Sequence, residues 1–289
     1  SEIGTEAQRD AFLGPMIEGS TSLAFAYAEK QSRYNLNDCA TTATKNGDDW
    51  ALAGEKVWVL NGHAADQIIV VARTGGGQFD DSGLSLFIVD GEAAGLSRIR
   101  VPGMDGQRSA VLTLDGVTVG ADRLLGREGD ALATIEKAVD RGAAAAVAEG
   151  YGAAQELFER TVAYLKQREQ FGKPIGTFQA VTQRAGDMFI HTQTMELAML
   201  SAAWRLNAEP TAGNLSDDAL EALWTARYWA TEAGHHVVAA AQHLHGGVGV
   251  DREYPVHRYF LYAKQLELTL GGATPQLLKV GRILAAEPA

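Results

Sequence analysis

The sequence predicts an α+β fold, with an antiparallel β-barrel or sandwich followed by a four-helix bundle. Three observations carry this expectation. Residues 21–125 hold short β-like runs divided by turn dipeptides. None of these runs opens a βαβ unit or a G-x-G-x-x-G turn, which argues against a Rossmann nucleotide site. Residues 127–289 read as long amphipathic helices with short joins. At about 100–200 residues per domain, a chain of 289 residues makes about two domains, and composition changes near residue 126.

The β half carries four apolar runs of strand length: Val57-Trp58-Val59-Leu60, Gln67-Ile68-Ile69-Val70-Val71, Leu84-Ser85-Leu86-Phe87-Ile88-Val89 and Val111-Leu112-Thr113-Leu114. Asn46-Gly47, Asn61-Gly62 and Asp115-Gly116 read as turns, and Thr74-Gly75-Gly76-Gly77 as a flexible loop tip. In the second half an Ala-rich helix runs from Ala143 to Lys166 and Pro174 punctuates the chain. A second helix follows, with Phe178, Val181, Ala185, Met188, Thr192, Met195 and Met199 on one face. A third starts at the N-cap Ser216 and runs to about His245, where Gly246-Gly247-Val248-Gly249 breaks it. A fourth covers Val256 to Leu270, and a last one starts from the cap-and-proline pair Thr274-Pro275. Trp204, Trp224 and Trp229 recur on helix faces with other apolar residues and read as bundle core.

Composition narrows the function classes. Hydrophobic residues make up 46% of the chain, enough for a real core. Lys and Arg number 25 against 36 Asp and Glu, a net charge of −11, which argues against nucleic acid as a partner. The single Cys39 excludes a disulfide scaffold and a C-x-x-C site and fits a reducing compartment. No apolar run approaches about 18 residues and the start SEIGTEAQRD lacks the features of a signal peptide, so a cytoplasmic protein with no membrane partner is expected. His236 and His243 share a helix face, but the spacing of His235, His236, His243, His245 and His257 matches no metal site, and no metal is expected.

Four motifs go further. They are Gly54-Glu55-Lys56-Val57-Trp58-Val59-Leu60-Asn61-Gly62 with Ala65-Asp66, then Leu112-Thr113-Leu114-Asp115-Gly116-Val117-Thr118-Val119 with Leu124-Leu125-Gly126. Next come Arg168-Glu169-Gln170-Phe171-Gly172-Lys173-Pro174-Ile175-Gly176-Thr177-Phe178-Gln179, and His245-Gly246-Gly247-Val248-Gly249 with Tyr254-Pro255-Val256. In this order they resemble the acyl-CoA dehydrogenase family over nearly the whole chain from about Leu23. The resemblance implies a middle β domain at 23–126 and a C-terminal helical domain at 127–289. Residues 1–22 are then the remnant of the family's N-terminal helical region, long enough for no more than one helix. It also implies FAD, an acyl-CoA thioester, a carboxylate base for the Cα proton and, by family analogy, an electron-transfer flavoprotein as partner.

Measured against that family, the residues divide. The base of most members is a Glu in a Tyr-Glu-Gly-Thr turn, whose place here is Thr269-Leu270-Gly271-Gly272, so the base position holds Leu270. A second family position, two residues after Asp140, holds Gly142. Neither residue accepts a proton. Glu267 is the nearest other carboxylate and reads as a solvated helix residue. The family's Thr-Glu-Pro and Gly-Ser-Asp segment is Ala28-Glu29-Lys30 followed by Tyr34, and its Trp-Ile-Thr motif keeps Trp58 but places Leu60 where the Thr stood. Two hydroxyl donors to the flavin ring are thereby lost. Asp140, which the resemblance implies for substrate binding, is kept, while the Arg expected three residues later is Ala143. In contrast, the residues that the family lends to a neighbour's ADP moiety remain: Arg168, Phe171, Gly172, Phe178, Gln179, Gly246 and Gly247, with His243 in place of a Gln.

This asymmetry resembles the base-less small subunit of hetero-oligomeric enzymes that act on steroid side chains or on pimeloyl-type dicarboxylyl-CoA. Such a subunit would complete an FAD site shared with a Glu-bearing partner. Two other readings stay open: a self-sufficient homotetramer with an unassigned base, and a non-enzymatic scaffold on the same fold.

Overall fold

The computed structural model describes residues 2–210 and 214–286. They divide into two compact units, one built on residues 2–138 and the other on 139–210 and 215–286.

The first unit opens with helix α1 (Glu6–Ile17), started by a reciprocal cap in which the Gln8 N–H donates to Thr5 Oγ1 and the Thr5 N–H to Gln8 Oε1. The Gln8 side-chain amide also donates to the carbonyls of Asp122 and Leu124, at 2.7 and 3.0 Å, docking this helix onto the β domain. Eight strands form one sheet: β1 (Leu23–Ala26), β2 (Thr42–Asn46), β3 (Asp49–Leu60), β4 (Gln67–Arg73), β5 (Leu84–Asp90), β6 (Leu96–Pro102), β7 (Arg108–Val119) and β8 (Leu124–Leu125). Their order is β6-β7-β3-β2-β4-β5-β8, with β1 beside β4. Pairing is mostly antiparallel, but β1 runs parallel to β4. Trp50, Leu52, Ile68, Val70, Phe87, Leu112 and Val117 fill the core, with the Trp50 and Phe87 rings 5.4 Å apart.

Two local expectations change here. Asp115-Gly116 is not a turn but an extra residue inside continuous β7. The β3 register steps from Leu52↔Val117 to Gly54↔Leu114, a β-bulge that Gly116 accommodates at φ 66°. The loop at Thr74-Gly75-Gly76-Gly77 is pinned rather than loose. Buried Arg73 donates to the carbonyls of Asn37, Cys39, Gly75, Gln78, Asp80 and Ser82.

The second unit holds most of α2 (Leu132–Gln167), then β9 (Glu169–Gln170), β10 (Lys173–Pro174), α3 (Gln179–Ala208), α4 (Asp217–His245), α5 (Val256–Leu270) and α6 (Ala273–Ala286). Ser216 caps α4 by accepting the Ala219 N–H. Helix α2 starts eleven residues before the expected Ala143, because Ala131 and Ile135 are buried and add a tertiary reason for helix where propensity alone is weak. Helix α6 starts at Ala273, not from a Thr274 cap. Gly271 and Gly272 close α5 in left-handed conformations (φ 91° and 73°), and Pro275 falls in the first turn of α6, where a missing N–H costs nothing. The core gathers Leu157, Met188, Met195, Val237, Val238 and Leu244 in one cluster, and Ala143, Val147, Ala226, Leu266 and Leu270 in another. Trp229 packs against the first cluster, but Trp204 is 73% exposed. It lies on the face of α3 opposite Met188 and Met195, so shared apolar character did not mean a shared face. No helix among the described residues is long and apolar enough to cross a membrane.

Candidate functional site

In the first unit, the segment implied for a flavin ring is built around a buried ion pair. Lys56 is fully buried on β3, and its Nζ lies 2.6 Å from Glu29 Oε1. The same carboxylate accepts the backbone N–H groups of Ala40 and Thr41, at 2.8 and 3.0 Å, and the Gln31 side-chain amide at 2.7 Å. Glu29 thus ties both ends of loop 30–39 together. Burial alone pushes its carboxyl upward. The Lys56 charge and these hydrogen bonds outweigh that and bring it down to about 2. Burial also raises the neighbouring Cys39 thiol to about 11, which leaves it a protonated, unreactive side chain.

Above this pair stand the altered positions. The Val57 N–H donates to the Ala28 carbonyl at 2.9 Å. Trp58 occupies a second bulge, where the register steps from Lys56↔Leu112 to Val59↔Ala110, at φ 53° and 61% exposed. A bulky side chain rarely adopts that backbone, and such strain persists only where surrounding structure imposes it. Leu60 and Tyr34 are exposed beside it in sequence. Arg33 takes φ 51° in the same loop.

In the second unit, Arg168 to Gln179 forms a tight hairpin at the end of α2. The Arg168 N–H donates to the Tyr164 carbonyl and the Ile175 N–H to the Arg168 carbonyl, both at 2.8 Å. Strands β9 and β10 pair Gln170 with Lys173, and the two-residue turn Phe171-Gly172 has φ 54° and 77°. Two positive φ angles define a type I′ turn, for which Asn-Gly is the favoured pair. Phe171 is nevertheless 92% exposed at its tip, its ring edge-on to Phe178 at 6.1 Å, with Lys173 Nζ 4.5 Å above the Phe178 ring. Arg168 and Gln179 are exposed beside it.

The glycine turn after α4 comes to the same end of the bundle. Tyr164 stacks on His245 with centroids 4.3 Å apart, linking the hairpin root to Gly246. Burial holds the His245 imidazole below its usual pKa, while its Nδ1 sits 2.8 Å from the Ala241 carbonyl. His243, Gly246 and Gly247 are exposed, and a side chain built on either glycine would meet nothing within 4 Å. Gly249 differs: a Cβ there would lie 2.5 Å from the Gln242 carbonyl, so the turn closes only with glycine.

The two base positions lie elsewhere in this unit. Leu270 ends α5 and is 2% exposed, with its side chain in the core cluster of Ala143, Val147 and Leu266. Its carbonyl accepts from Arg227 (2.9 Å) and Gln276 (2.8 Å). Arg227 also reaches Asp140 Oδ1 at 3.2 Å, joining α2, α4 and α5. Burial raises the Asp140 carboxyl above its usual range, against the pull of Arg227 and Lys279. Gly142 is exposed on α2 with open space where a side chain would stand. Glu267 is engaged by Lys264 at 2.8 Å and lies 3.9 Å from His235. Arg227, Gln276, Lys56 and the role of Glu29 were missed in the sequence. The readable signal for Arg227 was a lone charge among the buried Leu223, Ala226 and Ala230. Among the described residues, no group of three or more His, Cys, Asp or Glu side chains is placed to hold a metal.

Comparison with known proteins agrees with this geometry. Residues 24–117 match the acyl-CoA dehydrogenase middle domain and residues 130–284 the acyl-CoA dehydrogenase C-terminal domain. The chain belongs to the acyl-CoA dehydrogenase family, whose members are flavoproteins built on this fold. It is 37% identical to acyl-CoA dehydrogenase FadE27 of Mycobacterium tuberculosis over 253 residues, 86% of this chain and 64% of that protein. It therefore spans less than two thirds of that relative's length. The ChsE4-ChsE5 complex from Mycobacterium tuberculosis superposes with a TM-score of 0.85 at 34% identity, covering 100% of this chain and 73% of that one. A steroid acyl-CoA dehydrogenase variant, Tcur3481-Tcur3483, gives 0.82 at 37% identity, covering 98% and 72%.

Proposed function

We propose that the chain is a non-catalytic subunit of an FAD-dependent acyl-CoA dehydrogenase, completing the FAD site of a partner that carries the Glu base. One contrast carries the reading. Both base positions lack a carboxylate, with Leu270 packed into the core, while the Arg168–Gly172 hairpin projects its aromatic tip into solvent. The residues present suit the ADP end of FAD. Arg168 offers a permanent charge and planar donors for a pyrophosphate, Phe171 an uncovered ring, and Gly246-Gly247 an open backbone. They suit the flavin end less well, because Ala28 and Leu60 offer no hydroxyl. FAD, where bound, supplies the acceptor for a hydride from the acyl Cβ. Asp140, turned to Arg227, acts in this reading by fixing α2 against α4 and the end of α5. Two of the similar structures are described as a ChsE4-ChsE5 complex and as the pair Tcur3481-Tcur3483, which supports a second, related subunit here too. The latter supports a steroid-derived acyl-CoA as substrate, with an electron-transfer flavoprotein receiving the electrons and the cytoplasm as location.

The test is expression of the protein alone and together with a family member bearing the Tyr-Glu-Gly-Thr turn, reading flavin absorbance and acyl-CoA-dependent dye reduction. Flavin and turnover only in the co-purified pair are expected. Trp58, exposed on its bulge, favours the second reading, a homotetramer holding its own flavin. Flavin and turnover from the lone chain would establish that reading instead.

A further inference from the structure

Helix α3 is apolar on two opposite faces. One buries Met188, Thr192, Met195 and Ala202. The other leaves Ile190, Leu197 and Trp204 exposed at 62%, 69% and 73%, with Leu200 between them and Phe189 alongside. The steps 190, 193, 197, 200 and 204 alternate three and four, the spacing of a seam that packs against another helix at a shallow angle. The seam runs about 21 Å, and a helix apolar all round belongs inside an assembly.

The ends of the seam select its occupant. Asp187 and Arg205 lie on one flank of the seam, ten residues before Leu197 and eight after it. An antiparallel copy of α3 crossing at Leu197 brings Ile190 opposite the second copy's Trp204. It also brings Asp187 opposite the second copy's Arg205, once at each end. Arg205 already holds Asp218 and is partly exposed, with donors to spare for a second carboxylate. We infer that this face of α3 is a two-fold interface between two copies of this chain. The inference is independent of which chain holds FAD, and its test does not read flavin.

The full protein is followed by light scattering and by oxidative cross-linking. The wild type is expected to contain an even number of copies of this chain. Leu197→Lys is expected to halve that number while circular dichroism stays native. Leu197→Cys is expected to give a disulfide-linked dimer of this chain, which the wild type, with Cys39 buried, does not. Asp187→Arg and Arg205→Asp are each expected to weaken the assembly and the double swap to restore it. A monomeric wild type, unchanged mass in Leu197→Lys, or a Leu197→Cys cross-link to a different subunit only would overturn the interface.

Discussion

Lys56 decides more than its own position. Its ammonium is removed from water and repaid only by Glu29, so deleting it leaves a buried carboxylate without its counter-charge. Lys56→Met is expected to destabilise the protein by about 3–5 kcal/mol in urea unfolding, and Glu29→Gln by less, because the amide still accepts the Ala40 and Thr41 N–H groups. The pH dependence has a definite sign. The folded Glu29 pKa of about 2 lies below its ordinary 4.5, so its contribution is complete above about 4.5 and is lost as the pH falls toward 2. Wild type is expected to lose stability over that interval, and Glu29→Gln to lose correspondingly less. Leu270 gives the opposite lesson. Leu270→Glu places a carboxylate among Ala143, Val147 and Leu266, and it is expected to lower stability by several kcal/mol without producing turnover in the lone chain.

At the scale of elements, the hairpin at Phe171 trades stability for exposure. A residue other than Gly, Asn or Asp at the first position of a type I′ turn pays for φ 54°. Phe171→Asn is expected to raise the unfolding free energy by roughly 0.5–1 kcal/mol, while the co-purified pair retains less FAD. A measured loss of stability would show that the ring packs usefully on Phe178. The elements also mark what the sequence disclosed. Strands β4 and β5 were readable because both are almost wholly buried and therefore continuously apolar. Strands β2 and β6, with sequences TATKN and LSRIRVP, were not, because they are mostly exposed and carry no apolar run. The hairpin and glycine turn were legible as motifs. The Arg227 network was not, because it joins residues 87 and 43 positions apart, which no local pattern relates.

For the whole molecule, a net charge of −11 meets ligands that are themselves anionic. Such ligands must be held by local donors such as Arg168 against the general field, so a shared site is sensitive to how many chains contribute donors. If this chain lends its hairpin and holds no flavin, the co-purified pair is expected to contain one FAD per two chains by absorbance and amino-acid analysis. One FAD per chain would show that Trp58 and its neighbours hold a ring despite the lost hydroxyls.

The clasp of loop 30–39 by Glu29, with Arg73 gripping the Asn37 and Cys39 carbonyls from the other side, makes the loop's shape indifferent to whatever lies against its outer surface. The scaffold beneath is insulated from the residues displayed above it. Positions such as Ala28, Lys30 and Tyr34 were therefore free to drift once they no longer had to serve a cofactor, without unravelling the strands that carry them. The amide protons of Ala40 and Thr41 should accordingly exchange with solvent at the same slow rate whether or not flavin is added.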